Sequence, residues 1–533
     1  MSNMWRVESR ALNAAEKALW DAFPQGGVVD LSRRSRVTAR TVRASVIAAL
    51  LTGAQQAEPG RIAAVRLAGA RISGPLELGH GVVTVPLRLR DCELTDVIDL
   101  SGAKTRDVDL AGSTLAGLTG PLAEVDGNLD LSRCECRGPV SVSGAHVTGT
   151  LDLTGARLLS PGTMALLGNR LTVGNDLVAL RATVHGEFRL AGARIGGSVL
   201  LSGAALRNEG GDALHASDMT VNARFLARDG FSAHGEVRLV GVHVGSDMNF
   251  RHATLSNPGG NALLGYGLQV GGSLGLSEGF ASEGTVRLSR SRIAGGIFLE
   301  HARLENPAGD AIRCRNTQSQ TLHVGPGLMV SGIVDFRTSQ FANIRDEGAT
   351  WPTALRLSGL SYGELVPSLP AADRVAWLRR DVDGYQPRNY ETLAAMYRNS
   401  GEDARARAVL LARERDRRAH LAWYRQAWSW LQEVTVGYGY RPLRAAGWLL
   451  AFLGVGTLAF GLHHPAPLAG VPHPAFNPFI YALDLLIPLV DLGQRGAYDP
   501  QGAQRWLAYL LIAVGWIFVT TIATGIARVL RRD

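Results

Sequence analysis

Four cysteines, a histidine group near the C-terminus and several close carboxylate pairs are the side chains of this 533-residue chain whose types and spacing suit chemistry. His463, His464 and His473 lie in one Pro-rich stretch, where imidazoles can take a metal or contact a haem or quinone; they are read as a solvated loop, and neither metal nor cofactor is expected. Asp107/Asp109 and Asp91/Glu93 are carboxylate pairs of the kind β-helical carbohydrate enzymes use as acid and nucleophile. Among alternating charges they read as surface partners of nearby arginines. Cys134 and Cys136 share a strand face, but no second pair stands at ligand spacing; Cys92 and Cys134 take the place that Ala holds elsewhere, as buried small residues. No haem-attachment or ferredoxin spacing occurs, and Gly-x-Gly-x-x-Gly matches fall where glycine is frequent and no helix follows. No catalytic residue is assigned.

The elements that carry these residues are set by a beat of 11 positions, on which apolar pairs two apart recur: Val65/Leu67, Leu76/Leu78, Leu87/Leu89 and Ile98/Leu100, then Leu129/Leu131, Val140/Val142 and Leu151/Leu153. Residues i and i+2 share one strand face. Between the dyads stand small triplets such as Ser101-Gly102-Ala103 and Thr154-Gly155-Ala156. Coils stacked about 4.8 Å apart leave no room for a bulky corner, so the pattern predicts a β-solenoid over 61–345, with roughly 22 residues per coil, about a dozen coils and a length near 60 Å. A longer phrase, Leu206 to Leu214, Leu255 to Leu263 and Leu304 to Ile312, returns every 49 residues.

The dyads and Gly-Ala corners resemble the pentapeptide-repeat class of right-handed β-helices. Gly235-Glu-Val-Arg-Leu239, the Asn-Pro-Gly-Gly turn and the apolar tail resemble more closely, over nearly the whole chain, a bacterial family often labelled "membrane-associated oxidoreductase". That resemblance implies a solenoid on a membrane anchor and, by its label, an oxidoreductase activity for which the residues themselves supply no site.

Residues 1–60 read as a helical cap, with Leu12, Ala15, Leu19 and Phe23 on one face and a second helix following Thr38 through Val42, Ile47, Leu50 and Leu51 to Gly53. A cap answers the unpaired edge of a terminal coil. In 346–433 the spacing of Tyr390, Leu393, Ala394, Tyr397, Ala406 and Leu410, with Gly401 at the turn, resembles one tetratricopeptide helix pair.

The net charge of +8 is uneven, since 61–345 carries 27 basic and 26 acidic residues. A near-neutral rod excludes DNA mimicry and offers no basic stripe, so no nucleic acid is expected; Arg33-Arg34-Ser35-Arg36 is read as a solvated loop. Arginine almost replaces lysine, with only Lys17 and Lys104 present, which reads as codon bias in a GC-rich bacterium. No apolar leader opens the sequence, and the cysteines suit a reducing compartment.

Residues 434–533 read as a membrane anchor with two spans, about 443–462 and 506–529. Arginines crowd before the first and after the second, which predicts a multi-pass protein of the bacterial inner membrane with both termini cytoplasmic. Gly447, Ala451, Gly454 and Gly461 suit close helix packing and oligomers. Between the spans, Asp484 and Asp491, seven apart and so on one helical side, mark an interfacial or re-entrant segment. Thr435-Val436-Gly437-Tyr438-Gly439 resembles a potassium-channel filter but precedes the first span, where a filter cannot line a pore. The expected function is a cytoplasmic interaction scaffold or sensor, partnered by the bilayer and a protein; the alternatives are an oxidoreductase and a pore-forming effector.

Overall fold

A computed structural model describes residues 12–34, 36–346, 351–419, 442–468, 474–487 and 490–530. The chain divides into two compact units, Met1–Asn389 and Tyr390–Asp533.

The first unit is a β-solenoid of about 13 turns, as the dyads require. A representative coil has four two-residue strands: Val108–Asp109, Thr114–Leu115, Leu118–Thr119 and Glu124–Val125. The outer two belong to one parallel sheet and the inner two to a second. Val108 lies between Leu87 and Leu129 of the neighbouring coils, and Leu118 between Ile98 and Val140. The dyads fill the interior; Leu129, Leu131, Val140, Val142, Leu151 and Leu153 are each at most 2% exposed. With about 4.8 Å per rung the stack extends roughly 60 Å.

The corners are more specific than a rule of small residues. The Ala of each Gly-Ala pair is buried, as at Ala103 and Ala204, and the residue before it takes the left-handed conformation. From His80 to Gly241 one corner column alternates between glycine and a residue with a side chain. His80 (φ 57°) precedes Gly102 (φ 60°) by one coil, and Asp218 (φ 56°) precedes Gly241 (φ 67°). A Cβ on Gly102 would stand 2.6 Å from His80 Nδ1, and one on Gly241 2.5 Å from Asp218 Oδ1. The left-handed side chain thus folds over the glycine of the next coil, which must lack a Cβ for steric as well as conformational reasons.

The 49-residue phrase marks a wide coil alternating with a narrow one. Leu206 and Leu214, eight apart, face Val184 and Phe188, four apart. The same excess of four occurs at Leu158/Leu166, Leu255/Leu263 and Leu304/Ile312. Those residues leave the sheet as a turn. Asn208 Nδ2 donates to the Asp212 carbonyl (2.9 Å), and Asn257 and Asn306 repeat the bond to Asn261 (2.8 Å) and Asp310 (3.0 Å). The next coil passes under the neck of each turn on a glycine: a Cβ on Gly235 or Gly284 would stand 2.5 Å from the carbonyl oxygen of Asn208 or Asn257.

Both ends of the stack are covered. Parallel pairing begins at Val29–Asp30 and Thr41–Arg43, so the N-terminal segment contributes rungs as well as helices. Helix α1 (Ala14–Ala22) opens on a capping box, in which Asn13 Oδ1 accepts from the Ala15 and Glu16 amides and Glu16 accepts from the Asn13 amide. Its Ala15 and Leu19 are buried, as is Phe23 just beyond its end. Helix α2 (Ala44–Leu51) is shorter than the run from Thr38 implies, because Val42 pairs with Ile72 as a strand instead. Glu16 is fully buried and meets the Arg43 guanidinium at 2.7 Å. At the far end the rungs continue to Ser361–Val366, and α3 (Ala371–Leu378) follows. Trp351 and Trp377 lie 5.2 Å apart, and the buried Arg374 holds Asp346 through bonds of 2.6 and 2.8 Å.

In the second unit, α4 (Pro387–Asn399, which begins just before the unit boundary) and α5 (Asp403–Ala419) flank Gly401 (φ 76°), with Leu393, Ala394, Tyr397 and Ala406 buried. Helix Pro478–Leu486 packs with helices Pro442–Leu462 and Ala503–Leu530 through Phe460, Tyr481, Leu485 and Leu511. Among the described residues one helix, not the two expected, is long and apolar enough to cross a membrane: Ala503–Thr520. The other apolar stretch, Ala446–Leu462, is shorter, at 17 residues.

Two measurements check this account. Replacing Gly284 by Ala, which meets both a positive φ and a backbone carbonyl, should destabilise by about 2–4 kcal/mol, whereas Gly259→Ala, at a positive φ with open space around it, should cost about 1 kcal/mol; denaturation midpoints compare them. Burial by itself would raise the Glu16 carboxyl, but Arg43 and the amides of Asn13 and Arg43 outweigh it and hold the group below its usual range. Its stabilisation is therefore full above the unfolded carboxylate range and is lost as pH falls through the depressed folded value. Glu16→Gln should be less stable than the parent at neutral pH, by about 1–3 kcal/mol, and the gap should close in acid titrations.

Candidate functional site

Beside the projecting turns, two outward columns run across the coils. One contains Asp212 opposite Glu236, Asn261 opposite Thr285, and Asp310. The other is continuous from Arg189 through His215, Arg238, Leu264, Arg287 and Arg313 to Asp335 and Arg356. Strand periodicity puts the second column on the outer face, register shifts between Asp212 and Leu214, Asn261 and Leu263, and Asp310 and Ile312 bring the first beside it, and the charges pair across them. Arg238 meets Asp212 at 3.0 Å and Glu236 at 2.8 Å; Arg189 meets Glu187 at 3.0 Å. Further along, Asp310 takes Arg313 at 2.5 Å and Arg356 at 2.9 Å. Burial raises the Asp335 carboxyl, but hydrogen bonds from Arg337 and Arg315 reverse this and leave it below its usual range.

His215 stands between two carboxylates, with Nδ1 2.9 Å from Asp212 Oδ2 and 3.5 Å from Glu187 Oε1. Among the described residues this is the one group of three or more His, Cys, Asp and Glu whose donor atoms all fall within 4.8 Å of one another. It can hold a cation. No sequence motif announces it, because Glu187 and His215 are 28 positions apart and meet only through the register of adjacent coils. The repeated phrase was the available signal, since it places Asp212, Asn261 and Asp310 at one position.

On the other sheet an open trough of about 810 Å³ crosses successive coils. Its outward residues include His243, Gln269, Arg292, Gln318 and Gln340, and none of its lining residues is acidic. The carboxamides of Gln269, Gln318 and Gln340 offer paired donors and acceptors on three of these coils, with His243 and Arg292 on the others.

The residues singled out by sequence are dispersed. Asp109 is buried and bound by Arg90 at 2.7 Å, while Asp107 accepts the Asn128 amide, so the two carboxyls serve different backbone and side-chain partners. Asp91 occupies a left-handed corner (φ 49°), and Glu93 faces Arg40 at 3.8 Å. His464 packs edge-on against Phe476, and the His463 carbonyl accepts from Gln504; His473 and Thr435–Gly439 lie outside the described residues. Asp484 and Asp491 do not share a helical side, because the helix stops at Leu486. The buried Asp484 accepts the amides of Leu492, Gln494 and Arg495 at 2.9, 3.0 and 2.7 Å, and so holds the loop in which Asp491 stands.

All four cysteines are buried in the solenoid. Burial pushes the Cys92 and Cys134 thiols up to about 12, and Cys136 and Cys314 higher still. A buried thiol of that kind is neither nucleophile nor ready ligand.

No protein-family model matches the chain, and no curated protein or solved structure matches it. Of the resemblance read from the sequence, the stacked parallel solenoid is what the structure bears out. In the folded protein, the four thiols should resist iodoacetamide at pH 8, and all four should label after denaturation; mass spectrometry of the intact chain counts them.

Proposed function

We propose that this chain is a membrane-anchored interaction scaffold or sensor whose solenoid faces the cytoplasm. The supporting observation is the trough of Gln269, Arg292, Gln318 and Gln340, which lines up polar side chains from coil to coil instead of converging on one point. Such a surface suits an extended, polar protein partner, with many weak contacts in place of a deep cavity. The apolar Ala503–Thr520 helix supports attachment to the bilayer. In this reading Pro442–Leu462 is the second span, both termini are cytoplasmic, and α4 and α5 act as a tetratricopeptide-like pair.

A photo-cross-linking residue at Gln318 of the full-length chain, used in cells, should yield discrete heavier products that sediment with membranes. The same probe at the exposed corner residue Arg133 should not. Absence of products at Gln318, or a full-length protein that stays in the soluble fraction, would overturn the proposal.

A further inference from the structure

We propose that Glu187, Asp212 and His215 form a binding site for a divalent transition metal, with Zn²⁺ the best fit. Metal–ligand bonds of about 2.0–2.2 Å place neighbouring ligand atoms roughly 3–3.5 Å apart around one ion. Nδ1 of His215 lies 2.9 Å from Asp212 Oδ2 and 3.5 Å from Glu187 Oε1. Nδ1 is also shut off from solvent and makes no aligned hydrogen bond, in spite of the short approach to Asp212.

The surroundings favour one added positive charge or more. Glu187, Asp212 and Glu236 bring three carboxylates against the guanidiniums of Arg189 and Arg238, which leaves one negative charge with a neutral imidazole. A cation can answer it. Arg189 and Arg238 bond the same Glu187 Oε1 and Asp212 Oδ2 atoms that face His215, so an ion would take the second lone pair of each oxygen while the arginines hold the carboxylates in place. One imidazole and two carboxylates suit Zn²⁺ better than Ca²⁺ or Mg²⁺, which take mostly oxygen at higher coordination. The ligand side chains remain 16–19% exposed. Because Glu187 belongs to a narrow coil and Asp212 and His215 to the adjoining wide one, the ion would clip two coils together. This site stands independently of the scaffold reading.

The test is equilibrium dialysis of metal-stripped, full-length protein against micromolar Zn²⁺, read by elemental analysis. About one ion per chain is expected, with His215→Ala and Glu187→Gln each weakening binding at least tenfold, and with a His463→Ala/His464→Ala double variant unchanged. Far-ultraviolet circular dichroism reports whether each variant retains its strands; if His215→Ala does not fold, Glu187→Gln decides. No bound Zn²⁺, or binding that survives both ligand substitutions, would overturn the site.

Discussion

The parallel rung spacing of about 4.8 Å is the constraint on which the rest of this structure depends. Every coil has to repeat its neighbour's path within that distance, so any atom that rises above the local plane must find a gap in the next coil. The alternation of His80 with Gly102 and of Asp218 with Gly241 is one solution, with a side chain on one level and an absent Cβ on the next. The glycines under the projecting turns are another. Four residues are expelled from each wide coil, and the narrow coil beyond can follow only where Gly235 or Gly284 leaves room for two carbonyls. Stacking also leaves two raw ends, and the helices there, with Glu16–Arg43 at one and Arg374–Asp346 at the other, cover edges that would otherwise pair with another chain.

The same constraint decides where chemistry can occur. The interior is a column of apolar dyads and small corners that seals the thiols. What remains is the outside, where each position recurs once per coil and forms a row. One row pairs carboxylates with guanidiniums beside the turns; another presents carboxamides along the trough. Partial burial strengthens the paired charges relative to fully solvated ones, which is why a histidine between two carboxylates gains significance here that it lacks in a loop.

Much of the fold was legible because period-two hydrophobicity and a fixed interval are local properties. The dyads, the small corners and the existence of covered ends follow from them. The division into wide and narrow coils was less accessible, since the 11-residue beat suggests uniform coils, and only pairing shows that eight residues face four. Helix limits failed where a strand partner competed: Val42 joined Ile72 rather than a helix. The spacing of Asp484 and Asp491 misled for a similar reason. Its helical meaning required a helix to continue past Leu486, whereas three backbone amides folded the chain back onto Asp484.

The amino-acid order by itself determined that this chain winds into a stack, because inward dyads and tiny corners exclude any other economical burial of that pattern. It also determined that the tail carries at least one helix fit for a bilayer, since length and apolarity are additive along the chain. Tertiary structure alone decided which residues meet. Glu187, Asp212 and His215 come together, and Asp107 and Asp109 part, through inter-coil register, a long-range property that hydrogen bonding between distant segments sets and that no local spacing encodes.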